Sequence, residues 1–541
     1  MPEPTESETL LASEPSAHLG RNEEPDENIA AETNYATAMV VTGLLLGATL
    51  ASMDVAYNMA TYALIGSEFH NLENASWLIL THELIHSIAQ PIYGGLSNTY
   101  GRKRLTLLAY LFFLIGSSLS SFASSFAQAL LGRAILSTGV SGMTILVTFT
   151  LSDMVQLRTF ALLQSVHSIC ETAGLVLGGI LGSRLAHSNA AAWRLWYQVN
   201  TGMIFVPLLW VLVTMPSLAS NRSPTSAQSE NVWSLRGFFA KFDILGATLL
   251  GTSVFSLILA LELGGSKLGW GNAALIVTYL TAISSTVAFI YVEINRPGKA
   301  LIPLNFLSNK TVGFAIGCNS IAMFGYTASL YQISFFLQAE AYANSNSSNS
   351  GLSPLYVGLG LGFLVGGLYV RATGNAMAAV FIASSLTSIC YVSLALGLVE
   401  IGGMLNWAVL LLLGASLATT FEGLIVSLLS FSQSAKNDRA LLIGMNSVIV
   451  SIWGTLGTKT SATIFHSLMF KILRSEIRND DLADDVISKI SRSLETLRSF
   501  DPSLQKLVIA SIRKSYENLH VWIFFLSIAV IISSRQLRNH I

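Results

Sequence analysis

The sequence predicts an all-helical protein that crosses a membrane many times. Three observations carry that reading. Of the 541 residues, 52% are hydrophobic and only 11% are charged, with a mean hydropathy of +0.57, too apolar for a soluble multidomain protein. The apolar residues gather into windows of about 20, the length a helix needs to cross a hydrocarbon core about 30 Å thick. Basic residues alternate between successive connections, as they do when one side of the membrane retains them.

The chain opens on residues 1–35, where nine acids face the single base Arg21 and no apolar core appears. That is the composition of a disordered cytosolic tail, not of a cleavable signal. Inside it, Glu6-Ser7-Glu8-Thr9-Leu10-Leu11 fits the acidic dileucine pattern. Glu6, Leu10 and Leu11 would be the residues an adaptor complex reads for delivery to a lysosome or vacuole.

Fourteen predicted spans follow, near 36–58, 76–96, 105–124, 127–150, 160–183, 197–215, 242–262, 273–292, 311–337, 353–371, 375–398, 404–432, 440–466 and 519–535. They divide into an N-terminal six-helix bundle over 36–215, a linker with two inserted spans over 216–310, and a C-terminal six-helix bundle over 311–541. The even-numbered connections hold thirteen Lys and Arg, among them Arg102, Lys103 and Arg104, against Arg184, Arg194 and Lys267 in the short odd-numbered ones. Both termini and the even connections are therefore cytosolic. The long lumenal loop 467–518 carries helical apolar spacing over 484–500 and 503–516, on either side of Asp501-Pro502. These runs are expected to lie as two separate amphipathic helices on the far face.

Ionisable groups inside spans are costly and mark function by default. The predicted spans hold the acids Asp54, Glu83, Glu171 and Glu422, the bases Arg133 and Lys459, and His82, His86 and His167. Four carboxylates against two fixed cations make an acidic interior that favours protons and cationic solutes. Glu171 follows His167 by four residues, so both project from one helix face. It stands eleven residues inside the fifth span, about 16 Å deep, near the middle of the bilayer. His82-Glu83-Leu84-Ile85-His86 is a literal H-E-x-x-H, but a zinc site needs a third ligand and no later span supplies a clear one. Polar lining of a cavity is the reading adopted, with no metal and no cofactor. Cys170, Cys318 and Cys390 lie far apart without a C-x-x-C pair, which reads as packing. A net charge of −1 with no basic stripe speaks against nucleic acid as a partner.

Between the second and third spans, Gly94 to Arg104 reads G-G-L-S-N-T-Y-G-R-K-R, a polar stretch expected to form a tight turn. It resembles the signature loop of the major facilitator superfamily, G-x-L-[AS]-D-x-x-G-R-[KR]. Gly95, Leu96, Ser97, Gly101, Arg102 and Lys103 match, and Asn98 stands where the family carries Asp. Arg133 and Gly139 match the fourth-span motif R-x-x-x-G-x-G, with Ser137 replacing its first glycine. Gly174, Gly178, Gly179 and Gly182 match the glycine ridge of the family's antiporter motif, with Ile180 in place of its proline and Ser183 in place of its last glycine. Leu50-Ala51-Ser52-Met53-Asp54, Trp77, Gln90-Pro91 and Trp193-Arg194 with Asn200 look like the fourteen-span branch in fungi, and most like its vacuolar basic amino acid transporters.

That resemblance implies two pseudo-symmetric bundles rocking about a midplane site. It implies a carrier, not an enzyme, that exchanges a small-molecule substrate against protons across a lipid bilayer, here the vacuolar membrane. Glu171 and Asp54 would couple protons; Asp54, Arg133, Glu83, His167 and Glu422 would contact substrate. Asp54, near Arg133 in that fold, would suit a substrate ammonium. Gly95, Asn98, Gly101, Arg102 and Lys103 would form the gating loop. A multidrug or siderophore antiporter at the plasma membrane is the alternative within the class. A non-transporting sensor is the alternative outside it, because Asn98, Ile180 and Ser183 depart from motifs tied to gating.

Overall fold

The computed structural model describes residues 27–69, 71, 77–155, 157–186, 192–215, 243–264, 269, 271–295, 304–343, 352–397, 404–430, 436–477, 480–492, 497 and 500–538. The tail signal Glu6, Leu10 and Leu11 lies outside the described residues, as does most of the linker after the sixth span. Every predicted span falls in a helix. These are α1 (Glu27–Glu68), α2 (Trp77–Tyr100), α3 (Arg102–Ser121), α4 (Phe126–Met154), α5 (Leu157–Ala186), α6 (Ala192–Met203) and α7 (Phe205–Thr214), then α8 (Ile244–Leu263) and α9 (Ala273–Asn295). After a short 3-10 turn, Leu304–Ser308, come α10 (Lys310–Ala343), α11 (Ser353–Thr373), α12 (Ala376–Ala395), α13 (Met404–Ser430), α14 (Lys436–Glu476), α15 (Asp480–Arg492) and α16 (Pro502–Arg538). Among the described residues ten stretches are long and apolar enough to cross a membrane by themselves, and Leu245–Leu261 is a shorter apolar one. The other three predicted spans, in α2, α10 and α14, carry more polar residues and pack among the ten.

Two spans differ from the expected outline. The sixth is broken at Ile204 into α6 and α7. Pro207 explains the break, since it has no N–H to return to the carbonyl of Met203. The first helix begins at Glu27, before the 36 expected from hydropathy, because nothing in Asn28 to Tyr35 stops a helix from propagating out of the bilayer.

The loop 467–518 corrects the expectation of two free-lying helices. α14 runs on to Glu476, and α15 covers Asp480–Arg492. The second run is not a separate helix but the first four turns of α16, which continues through the last span. Pro502 sits at the start, where a missing N–H costs nothing, and neither glycine nor proline interrupts Tyr516 to Leu519. Ala483, Val486, Ile490, Leu497, Val508 and Ile512 are buried in one core with Phe465, Met469, Leu473 and Leu355. The segment therefore caps the end of the C-terminal bundle.

Within the first bundle α1 packs on α5 and α3 on α4; within the second α11 packs on α13 and α10 on α14. A Cβ on Gly174 would meet the carbonyl of Thr49, and one on Gly178 the carbonyl of Met53, so α5 and α1 approach to backbone contact. The two bundles meet along two seams, α5 with α11 and α2 with α14. α8 lies against α2 and α14 together, with Ile88 over Gly251 and Trp77 beside Phe255, while α9 packs outside α8.

Candidate functional site

The first polar cluster lies inside the N-terminal bundle. Asp54 and Arg133 are fully buried, and Arg133 Nη1 donates to Asp54 Oδ2 in a salt bridge between α1 and α4. Asn200 Nδ2 of α6 donates to the other carboxylate oxygen at 3.4 Å. Beside it Asn58 donates to the Tyr197 hydroxyl at 3.1 Å, and Tyr57 donates to the carbonyl of Trp193 at 3.3 Å. Each of the three helices supplies one member, so the cluster ties α1, α4 and α6 together. Both oxygens of Asp54 are engaged, one by Arg133 and one by Asn200.

The second cluster lies on the α2 seam. His82 Nδ1 is 3.2 Å from Ser137 Oγ, and Gln90 Nε2 is 3.3 Å from His86 Nε2. Among the described residues no group of three His, Cys, Asp or Glu is gathered for a metal. Glu83 faces the other bundle: Thr455 Oγ1 donates to its Oε2 at 3.4 Å, and Lys459 acts on it as the nearby positive charge. One turn further on, the hydroxyls of Ser87 and Ser451 are 3.2 Å apart. Lys459 thus lies close enough to Glu83 to act on its charge.

The third cluster surrounds α5. His167 Nε2 is 3.5 Å from Glu171 Oε1, the geometry expected of an i, i+4 pair, and Gln164 lies 3.4 Å from the other ring nitrogen. His167 is 3% exposed whereas the Glu171 side chain is 30% exposed, so the carboxylate reaches the surface of the protein and the ring does not. On a different face of α5, Ser165 Oγ donates to Glu422 Oε1 of α13 at 3.4 Å. Glu422 is fully buried, and its Oε2 has no hydrogen-bond partner among the described residues.

The signature stretch is more helical than expected. α2 continues to Tyr100, and the turn is confined to Gly101, whose φ of 88° is a conformation that favours glycine. Gly95 has open space where a side chain would stand. Arg102 Nη1 donates to Ser97 Oγ, its Nε donates to Asp153 Oδ2 at 3.0 Å, and its guanidinium stacks 5.0 Å over the Phe149 ring. Lys103 Nζ donates to the carbonyl of Leu212 near the end of α7, at 2.8 Å. A Cβ on Gly444 of α14 would come within 3.3 Å of the Phe149 ring, so the arginine braces a ring that faces the opposite bundle. The Asn98 side chain lies outside the described residues. If the position gates, Asn98→Asp is expected to change transport rate by adding a contact present in one state only, since only differential interactions move a conformational equilibrium. Equal initial rates in reconstituted vesicles would remove it from the gate.

Sequence reasoning missed several partners. Ser165 and Thr455 are small hydroxyls with no pattern to announce them. Glu68, which accepts from both Trp193 Nε1 and Arg194 Nη1, and Asp153 had a partial signal, since each is an acid at a helix end, but their basic partners lie 126 and 51 residues away in the chain.

Two helical bundles meeting on paired seams, with ionisable groups buried between them, define a membrane carrier. A profile of the Major Facilitator Superfamily matches residues 44–458, and the chain belongs to that family. Its members are transporters, not enzymes. The multidrug resistance protein fnx1 of Schizosaccharomyces pombe is 24% identical over 493 residues, covering 90% of this chain and 89% of that one. The vacuolar membrane amino acid uptake transporter fnx2 of the same yeast is 30% identical over 358 residues, covering 65% of this chain and 59% of that one. Among solved structures, a bacterial homologue of the human lysosomal transporter Spinster aligns with a TM-score of 0.57 at 15% identity, covering 93% of this chain and 98% of that one. The human organic anion transporter MFSD10 aligns with a TM-score of 0.55 at 15% identity, covering 91% and 99%. These likenesses establish the fold.

Proposed function

We propose that this transporter moves basic amino acids, lysine, arginine and histidine, into the vacuole in exchange for protons. The observation that carries the reading is the charge balance of the interior. Arg133 neutralises Asp54 and Lys459 faces Glu83, which leaves Glu171 and Glu422 without a fixed cation among the described residues. Two uncompensated carboxylates suit a cationic solute and a proton. The likeness to an amino acid uptake transporter of a vacuolar membrane supports the same substrate class and membrane. The test is uptake of radiolabelled lysine into isolated vacuoles. Uptake that collapses when a protonophore dissipates the pH gradient is expected, and uptake indifferent to the gradient or absent would defeat the proposal.

A second reading is an efflux antiporter of the plasma membrane. It is favoured by the nearly full-length likeness to a multidrug resistance protein. The tail separates the two addresses. With Glu6, Leu10 and Leu11 acting as a sorting signal read by an adaptor complex, Leu10→Ala with Leu11→Ala is expected to send a tagged protein to the plasma membrane with its folding intact. Unchanged vacuolar fluorescence would show that the motif is not read.

A further inference from the structure

Glu422 is the interior carboxyl that the rest of the molecule does least to compensate. It is fully buried on α13, one oxygen accepts a long hydrogen bond from Ser165, and the other has no partner. Five helices pack against α13. Among the described side chains of these helices, those that carry a charge or a histidine ring are His167 and Glu171 on α5, Lys310 on α10, Arg371 on α11, and Lys459, His466, Lys471, Arg474 and Glu476 on α14; α12 brings none. None of these pairs with Glu422 among the described residues. Tyr326 of α10 packs its ring against the neighbouring Phe421. An ionised carboxylate sealed in this way has neither water nor a counter-charge to replace its hydration. The contact also crosses between bundles, since Ser165 belongs to the first and Glu422 to the second. Closing α5 on α13 is what seals the carboxyl.

We propose that Glu422 is an exchange site, neutralised alternately by a proton and by the cationic head of the substrate, and that the bundles close on this seam only when it is neutral. This deepens the proposed function and relies on it for the choice of amino acid. A carboxyl O–H donates its proton to water when the seam opens, and the freed carboxylate takes an ammonium or guanidinium in its place. No electrons change hands. An empty, ionised Glu422 holds the seam open, which prevents the protein from returning without a proton or a cation aboard. Glu171 differs because its side chain is 30% exposed in the same arrangement and is not sealed.

Infrared difference spectroscopy on the full-length protein in lipid vesicles tests this through the carbonyl stretch of a buried protonated carboxyl. The band is expected in the wild type at acidic pH, absent in Glu422→Gln, retained in Glu171→Gln, and shifted but present in Ser165→Ala. L-lysine or L-arginine should discharge it with release of a proton for each cation bound, whereas uncharged L-glutamine should not. Glu422→Asp keeps the carboxyl and serves as the second variant where the Gln protein does not fold; its band should shift. A wild-type spectrum without the band, or one unchanged by Glu422→Gln or Glu422→Asp, overturns the assignment. A Glu422 band that survives lysine, arginine and tetraphenylphosphonium alike overturns the exchange. Discharge by tetraphenylphosphonium but not by the amino acids keeps the exchange site and removes the amino acid reading instead.

Discussion

Replacing Asp54 by Asn is expected to cost this protein its fold before it costs a ligand contact. The carboxylate is fully buried and is the partner of an equally buried guanidinium, so the substitution strands Arg133 as an uncompensated charge. Breaking a buried pair from one side typically costs about 3–5 kcal/mol. A membrane protein losing that much should lose its monodisperse peak in detergent and much of its thermal stability. Arg133→Gln should fail in the same way, and the double replacement, which removes both charges, should recover part of the loss. A substrate ammonium at Asp54 would have to compete with the guanidinium of Arg133 for the carboxylate. A well-folded Asp54→Asn protein with unchanged melting and no substrate binding would return the residue to the ligand site.

Glu171→Gln should abolish uptake driven by a pH gradient and spare counterflow, in which labelled and unlabelled substrate exchange without net proton movement. The proposal rests on position: Glu171 shares a helix face with His167, on the helix that packs against α1 and reaches α11 of the other bundle. On this proposal Glu171 would pass the proton to and from the exchange site at Glu422, so removing its titrating oxygen would stop proton-driven uptake and leave the substrate route. Gradient-driven uptake at wild-type level in the Gln variant would rule out this role.

Much of the fold was legible because a bilayer imposes a length on each helix, and fourteen windows of the right size can be counted without knowing how they pack. The i, i+4 contact of His167 with Glu171 was legible for a similar reason, since helical geometry alone brings them together. The Ser165 to Glu422 contact was not, because 257 residues separate its members and only the packing of one bundle on the other joins them. The break at Ile204 was hidden in an unbroken apolar run, where Pro207 is a single letter against a strong hydropathy signal. The cap built from 467–518 was misplaced because amphipathic spacing reports an apolar face and not what covers it. Here the cover is the end of the bundle and not lipid.

The position of α8 has a mechanical meaning. A carrier made of two equal bodies would have two equivalent hinges, but this one has a third body fastened along α2 and α14 and nothing comparable, among the described helices, along α5 and α11. Relative tilt of the bodies must shear against a splint on one flank and is free of it on the other. The stroke is therefore expected to be lopsided, with the splinted flank as the pivot and the larger displacement on the flank where Ser165 and Glu422 face each other.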